Sequence, residues 1–217
     1  MSGPRAEVEG RGGPVGVVVV HEVFGRDDYV RSVARTLAAA GFPAATVDLY
    51  DGKYARSLEE AFTLRGALTE AGVLGALDEA AAALSERLTG PKVVGTLGFC
   101  MGGGYALLGA CRRPFGFAVD YYGRIERADD VAQARGPVLV LLASEDERIT
   151  PWAFQELLPA AVRAKRRVSV ELYPGVRHAF HRPGWEGHDP TAAADAWERT
   201  VEFLRQMGRA APPSALK

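Results

Sequence analysis

Three side chains, Cys100, Asp146 and His178, have the types and the chain order that nucleophilic attack on a carbonyl requires. Cys100 stands in Gly98-Phe99-Cys100-Met101-Gly102-Gly103, a small-x-nucleophile-x-small pattern with cysteine where serine is commoner. Glycines two positions before and two after let a strand and a helix meet in a sharp turn that lifts the central side chain out. The same turn sets the sulfur at a helix N-terminus, where the positive end of the dipole favours a thiolate. A thiol that titrates at about 8.5 needs a base at neutral pH. His178, in "YPGVRHAFHRP", is placed to take its proton, and Asp146, in "ASEDERITP", to hold the imidazole tautomer. Glu145 and Glu147 compete with Asp146, which is preferred because it follows Ala143, the small residue ending a strand, by three positions. The competing reading of Cys100 is a packing cysteine in a glycine-tight turn.

The elements that must position these residues are legible as an alternation of apolar runs and helical periods. Val15–Val20, Ala44–Val47, Lys92–Leu97, Phe117–Tyr121, Val138–Ala143 and Val168–Tyr173 read as six strands rich in Val, Leu and Ala or aromatics. Their continuous rather than alternating apolar character favours a mostly parallel sheet covered on both faces. Helices follow in "DDYVRSVARTLAAAG", capped by Asp27 or Asp28 and stopped at Gly41, and in "LGALDEAAAALSERL". Two more begin at Thr150-Pro151 and at Asp189-Pro190. The expected fold is α/β, doubly wound, with helices on both faces of a sheet of about six strands. Ligands in such folds bind beyond the carboxyl ends of the strands, where Cys100, Asp146 and His178 all fall. The expected organisation is a flexible N-terminus over 1–13, a single domain over 14–208 and a tail over 209–217.

Several short motifs together resemble the dienelactone hydrolase family of the α/β-hydrolase superfamily. They are "HEVFG" (His21–Gly25), "VDLY" (Val47–Tyr50), "GFCMGG", "DYYG" (Asp120–Gly123) and "HAF" (His178–Phe180), in the family order across Val15 to Leu204. The resemblance implies an α/β-hydrolase-like fold and a hydrolase acting on small esters or lactones through Cys100, His178 and Asp146, with an acyl-thioester intermediate. It implies that Glu22 contacts and helps activate the resting thiol, and that the backbone N–H groups of Val23 and Met101 form the oxyanion hole. It also implies that arginines hold a substrate carboxylate: Arg182, four residues after His178, and a second in the segment after "DLY", where Arg56 and Arg65 are the options. One of Tyr121 and Tyr122 is expected to face the pocket, and Tyr122 is carried forward as substrate-binding.

The chain departs from the family in three places. Only 13 residues precede Pro14, so the N-terminal strands are expected to be reduced, leaving an edge that a homodimer would cover. His21 stands where glutamine is usual, and the stretch from Asp51 to Thr69 is short, which makes a dienelactone itself a doubtful substrate.

Composition excludes other classes. Twenty-six Lys and Arg against 27 Asp and Glu leave a net charge of -1, with no basic field for nucleic acid. No apolar run reaches the roughly 18 residues of a membrane span, and no apolar leader opens the chain, so the expected location is the cytoplasm. Cys100 and Cys111, about 15 Å apart along a helix, are too far apart to pair. His178, His181, His188 and Asp189 cluster in sequence without metal-ligand spacing, so neither metal nor cofactor is expected. The alternative to a hydrolase is a non-catalytic or thiol-redox-sensing binding protein on the same fold.

Overall fold

The computed structural model describes residues 5–210. Its framework is one sheet in the order β1-β3-β2-β4-β5-β6-β7. The strands are β1 (Ala6–Glu9), β2 (Val15–Val20), β3 (Ala44–Val47), β4 (Val93–Phe99), β5 (Ala118–Tyr121), β6 (Val138–Ala143) and β7 (Val168–Tyr173). Every pairing from β3 to β7 is parallel, and β1 runs antiparallel along β3. β2, β3, β5 and β6 are buried at every residue, including the polar Thr46 of β3 and Asp120 of β5.

The expected sheet of about six strands is present with one short N-terminal strand added, β1, which lies in the segment expected to be flexible before residue 14. Ala6 lies opposite Val47 and Glu9 opposite Ala44. Ala6 and Val8 pack on the core, while Glu7 between them pairs with Arg31 at 2.9 Å and Arg26 at 3.2 Å. Two glutamates in four residues hide the strand in the sequence, because an edge strand needs only one apolar face. β1 therefore covers the flank of β3 that had been expected to stand open. The first four residues and the tail from 211 onward lie outside the described residues.

The helices that matter most to the site are α1 (Asp28–Ala39), α2 (Leu58–Gly66), α3 (Glu70–Ser85) and α4 (Met101–Arg112). Asp27 caps α1 by accepting the Val30 N–H at 3.2 Å. α2 escaped the sequence reading although Ser57-Leu58-Glu59-Glu60 has capping-box spacing; Ser57 Oγ accepts the Glu60 N–H at 3.2 Å. The helix expected from Thr150-Pro151 is broken into α5 (Ile149–Trp152), a π turn (Ala153–Leu157) and α6 (Leu158–Arg163). Pro159 explains the break: it has no N–H to donate and its ring crowds the carbonyl one turn back. α7 (Pro190–Ala210) closes the fold. α1 and α7 cover one face of the sheet, burying Val30, Leu37, Ala196 and Leu204 against Phe99 and Tyr121. α3 and α4 cover the other, with Leu77 and Leu84 against Val18 and Val20.

Candidate active site

Cys100 is the single residue between β4 and α4, and its φ of 54° lies in the left-handed region. That conformation costs a non-glycine residue about 1–3 kcal/mol and persists only where the surroundings enforce it. They do so here. The Cys100 N–H donates to Tyr121 O at 2.9 Å, and its carbonyl accepts from Gly104 N at 3.2 Å. A Cβ on Gly98 would lie 2.0 Å from Gly102 O, and one on Gly102 would lie 2.3 Å from Val20 O. The flanking glycines are thus demanded by the turn that presents the sulfur. Cys100 is partly exposed, whereas Cys111 is buried and its thiol is pushed up to about 12 by burial. Only the first is a reactive-thiol environment.

Parallel pairing sets the loops after β4, β6 and β7 on one edge of the sheet, and so joins groups far apart in sequence. His178 Nδ1 lies 2.5 Å from Asp146 Oδ2. Asp146 Oδ1 accepts from Ile149 N at 2.9 Å and Arg148 N at 3.1 Å, which fixes the carboxylate. Burial would raise the Asp146 carboxyl, but the His178 hydrogen bond and these two N–H donors hold it below its usual range. Burial likewise pulls the His178 imidazole down, and its contacts with Asp146 and the Cys100 sulfur outweigh that, pushing it up to about 10. Glu145 and Glu147 are both exposed, so the acid at the imidazole is Asp146. Tyr122, at φ 45°, lays its ring 4.9 Å from the His178 ring. Its buried hydroxyl has no hydrogen-bond partner and lies near Tyr29, Glu22 and Cys100. Tyr121 turns the other way, donating to Ala196 O at 3.1 Å in the core.

Glu22, on the loop after β2, is buried, and burial raises its carboxyl against the opposing pull of Arg182. Arg182 Nη1 donates to Glu22 Oε2 at 2.6 Å, and Nη2 donates to Asp27 Oδ2 at 2.5 Å. The guanidinium also lies 5.0 Å from the Tyr29 ring and 5.7 Å from the Phe24 ring. Glu22 Oε1 is buried without a partner.

His21 is fully buried, and burial pulls its imidazole down to about 4, so it is neutral at ordinary pH. Leu49 N–H donates to Nε2 at 3.1 Å, which leaves the proton on Nδ1 to donate to Glu22 O at 2.6 Å. Tyr50 Oη donates to Val23 O at 3.1 Å. Both bonds pin the Glu22-Val23 segment, so His21 acts as a strut rather than as a polar neighbour of the thiol. Among the described residues, no protein group accepts from the N–H of Val23 or of Met101.

Arg56 is not brought to these groups. It is exposed on the turn before α2, where its backbone N–H donates to Glu60 Oε2 at 2.7 Å. Arg65 is also exposed and lies beside Tyr105 and Tyr50. His181 and His188 serve locally, with Nδ1 of the first 2.8 Å from Tyr29 Oη and Nδ1 of the second 2.9 Å from Phe180 O. The sequence reading missed Asp27 as a partner of Arg182, having used it only as a cap; nothing local signals a contact across 155 positions. No helix among the described residues is long and apolar enough to cross a membrane.

Comparison with known proteins gives a consistent result. The model of the dienelactone hydrolase family matches residues 6–208. A Bradyrhizobium protein named "Probable 2-oxo-3-(5-oxofuran-2-ylidene)propanoate lactonase" is 30% identical, over 87% of this chain and 82% of its own. Protein usf of Aquifex pyrophilus is 31% identical, over 90% of this chain and 89% of its own. The crystal structure of a dienelactone hydrolase-like promiscuous phosphotriesterase, P91, from metagenomic libraries superposes with a TM-score of 0.80. It is 26% identical, with 93% of this chain and 92% of that one covered.

Proposed function

The chain belongs to the dienelactone hydrolase family, and from that premise we propose that it cleaves small esters or lactones with Cys100 as nucleophile. The observation that carries the reading is the His178 imidazole, bonded to Asp146 at 2.5 Å through Nδ1, with Cys100 near enough to help raise it. With Nδ1 committed to Asp146, Nε2 is the nitrogen left to exchange a proton with the sulfur.

In the first step Cys100 Sγ, its proton passed to His178, bonds to the substrate carbonyl carbon. The carbonyl electron pair moves to oxygen, facing the N–H groups of Val23 and Met101. Two unoccupied donors at a fixed spacing stabilise such a charge more in the transition state than in the ground state. As the tetrahedral species collapses, the C–O bond breaks and His178 returns the proton to the leaving alkoxide. Water then attacks the acyl-thioester, with His178 taking its proton and giving it to the departing sulfur. Glu22, whose Oε1 is buried without a partner, is assigned in this reading as a second acceptor for the thiol proton. Tyr122 backs the imidazole with its ring, and its hydroxyl, buried without a partner, is the group this reading assigns to the substrate.

The test is steady-state hydrolysis of a short-chain ester with a chromogenic leaving group. Cys100→Ala is expected to lower kcat by at least about a thousandfold, the scale seen when a nucleophile is removed. Full activity in that variant would end the assignment.

A further inference from the structure

We propose that Asp27 sets the charge specificity of this site, filling the half of the Arg182 fork that a substrate carboxylate would need and so favouring uncharged esters and lactones. The inference deepens the hydrolase reading and rests on it for the word substrate.

A guanidinium recognises a carboxylate through paired N–H donors on its two terminal nitrogens. Here Nη1 donates to Glu22 at 2.6 Å and Nη2 to Asp27 at 2.5 Å, so each terminus already holds a carboxylate. Tyr29 and Phe24 lie against the guanidinium, which leaves little room for it to swing toward a newcomer. Asp27 is not a mobile competitor either. Its Oδ1 accepts the Val30 N–H as the cap of α1, which aims Oδ2 at Arg182 and ties the carboxylate to a helix N-terminus.

The local charge follows. One guanidinium set between two carboxylates presents no free positive charge, and the charge on the raised His178 imidazole is balanced by the Asp146 carboxylate paired with it. An anionic acyl group would enter against that field; a neutral one would not. Two like charges about 7 Å apart at an effective dielectric constant of about 20 repel enough for a discrimination of tenfold or more. The other two arginines lie elsewhere, Arg56 exposed on the turn before α2 and Arg65 exposed beside Tyr50 and Tyr105. Capping alone does not call for aspartate, because Asn and Ser cap as well. The charge on Asp27 is the part the cap does not use.

The experiment reads the site's charge without relying on turnover. The intact protein is alkylated with iodoacetamide or with iodoacetate, reagents of nearly equal size that differ in charge, and modification is followed on the Cys100 peptide by mass spectrometry. Taking the ratio of the two rates cancels the thiolate fraction. The iodoacetate-to-iodoacetamide ratio is expected to fall about tenfold or more below that of a free small thiol. Asp27→Asn, which keeps the cap, is expected to restore most of it, and Asp27→Ser serves if the first variant folds poorly. A wild-type ratio above that of the free thiol would mean that Arg182 is open to anions and would overturn the proposal. So would a ratio unmoved in both variants. Alongside, kcat/KM for a neutral ester and a matched carboxylate-bearing ester should shift toward the latter in Asp27→Asn. Absence of any turnover would count against the hydrolase reading alone and leave the alkylation ratio to decide this one.

Discussion

At Gly98 and Gly102 a single hydrogen atom does what no other side chain does. The backbone of β4 passes so close to the first turn of α4 that a methyl on Gly98 would lie 2.0 Å from a carbonyl oxygen. No rotamer relieves a clash made by Cβ itself, so backbone must move. Gly98→Ala is therefore expected to destabilise the protein by about 3 kcal/mol or more, above the usual range for overpacking. Urea titration followed by circular dichroism would measure it; a loss below about 0.5 kcal/mol would show the turn to be slack. The same residue-scale view separates the two cysteines. Cys100 is held on a strained bend beside an imidazole, while Cys111 is an apolar filler in the core.

At the scale of elements, the parts of the fold that repeat a strong pattern were legible and the parts that depend on a distant partner were not. β2, β3, β6 and β7 begin and end where their apolar runs do, and α1 starts at the cap its sequence announces. Cys100, Asp146 and His178 were legible because each follows a readable strand, and parallel strands send all such loops to one rim. β1 was not, since its four residues gain a buried face only from β3. The contact of Arg182 with Asp27 had no local signature at all, as it joins a helix cap to a loop 155 positions on. Glu7 tests the meaning of β1. It reaches Arg26, a nearly buried cation whose other carboxylate among the described residues is Asp48. Glu7→Ala is expected to lower stability by about 1 kcal/mol, at the modest end for a paired charge because Glu7 itself is partly exposed. A lowered Tm in a thermal melt would register it, and an unchanged Tm would reduce β1 to a passive flap.

For the molecule as a whole, the protonation of one imidazole feeds into global stability. His178 is pushed up from 6.5 to about 10 in the folded chain. A raised folded value means that its contribution is fully present below about pH 6.5 and is lost as pH rises toward 10. The ring is 38% exposed, so solvent screens the effect and the slope should be gentle. Denaturant midpoints taken between pH 6 and pH 10 should decline in the wild type. The decline should flatten in Asp146→Asn, which removes the carboxylate that favours the charged ring. Equal slopes in the two proteins would place the pH dependence elsewhere.

The imidazole hangs from the end of β7, the outermost strand on its side of the sheet, joined along one margin only, to β6. Cys100 springs from β4, deep in the middle of the same array. Opening of that border would carry the proton acceptor away while the sulfur keeps its perch. The durability of the pairing between them thus depends on the seam between β6 and β7 as well as on the interior around β4.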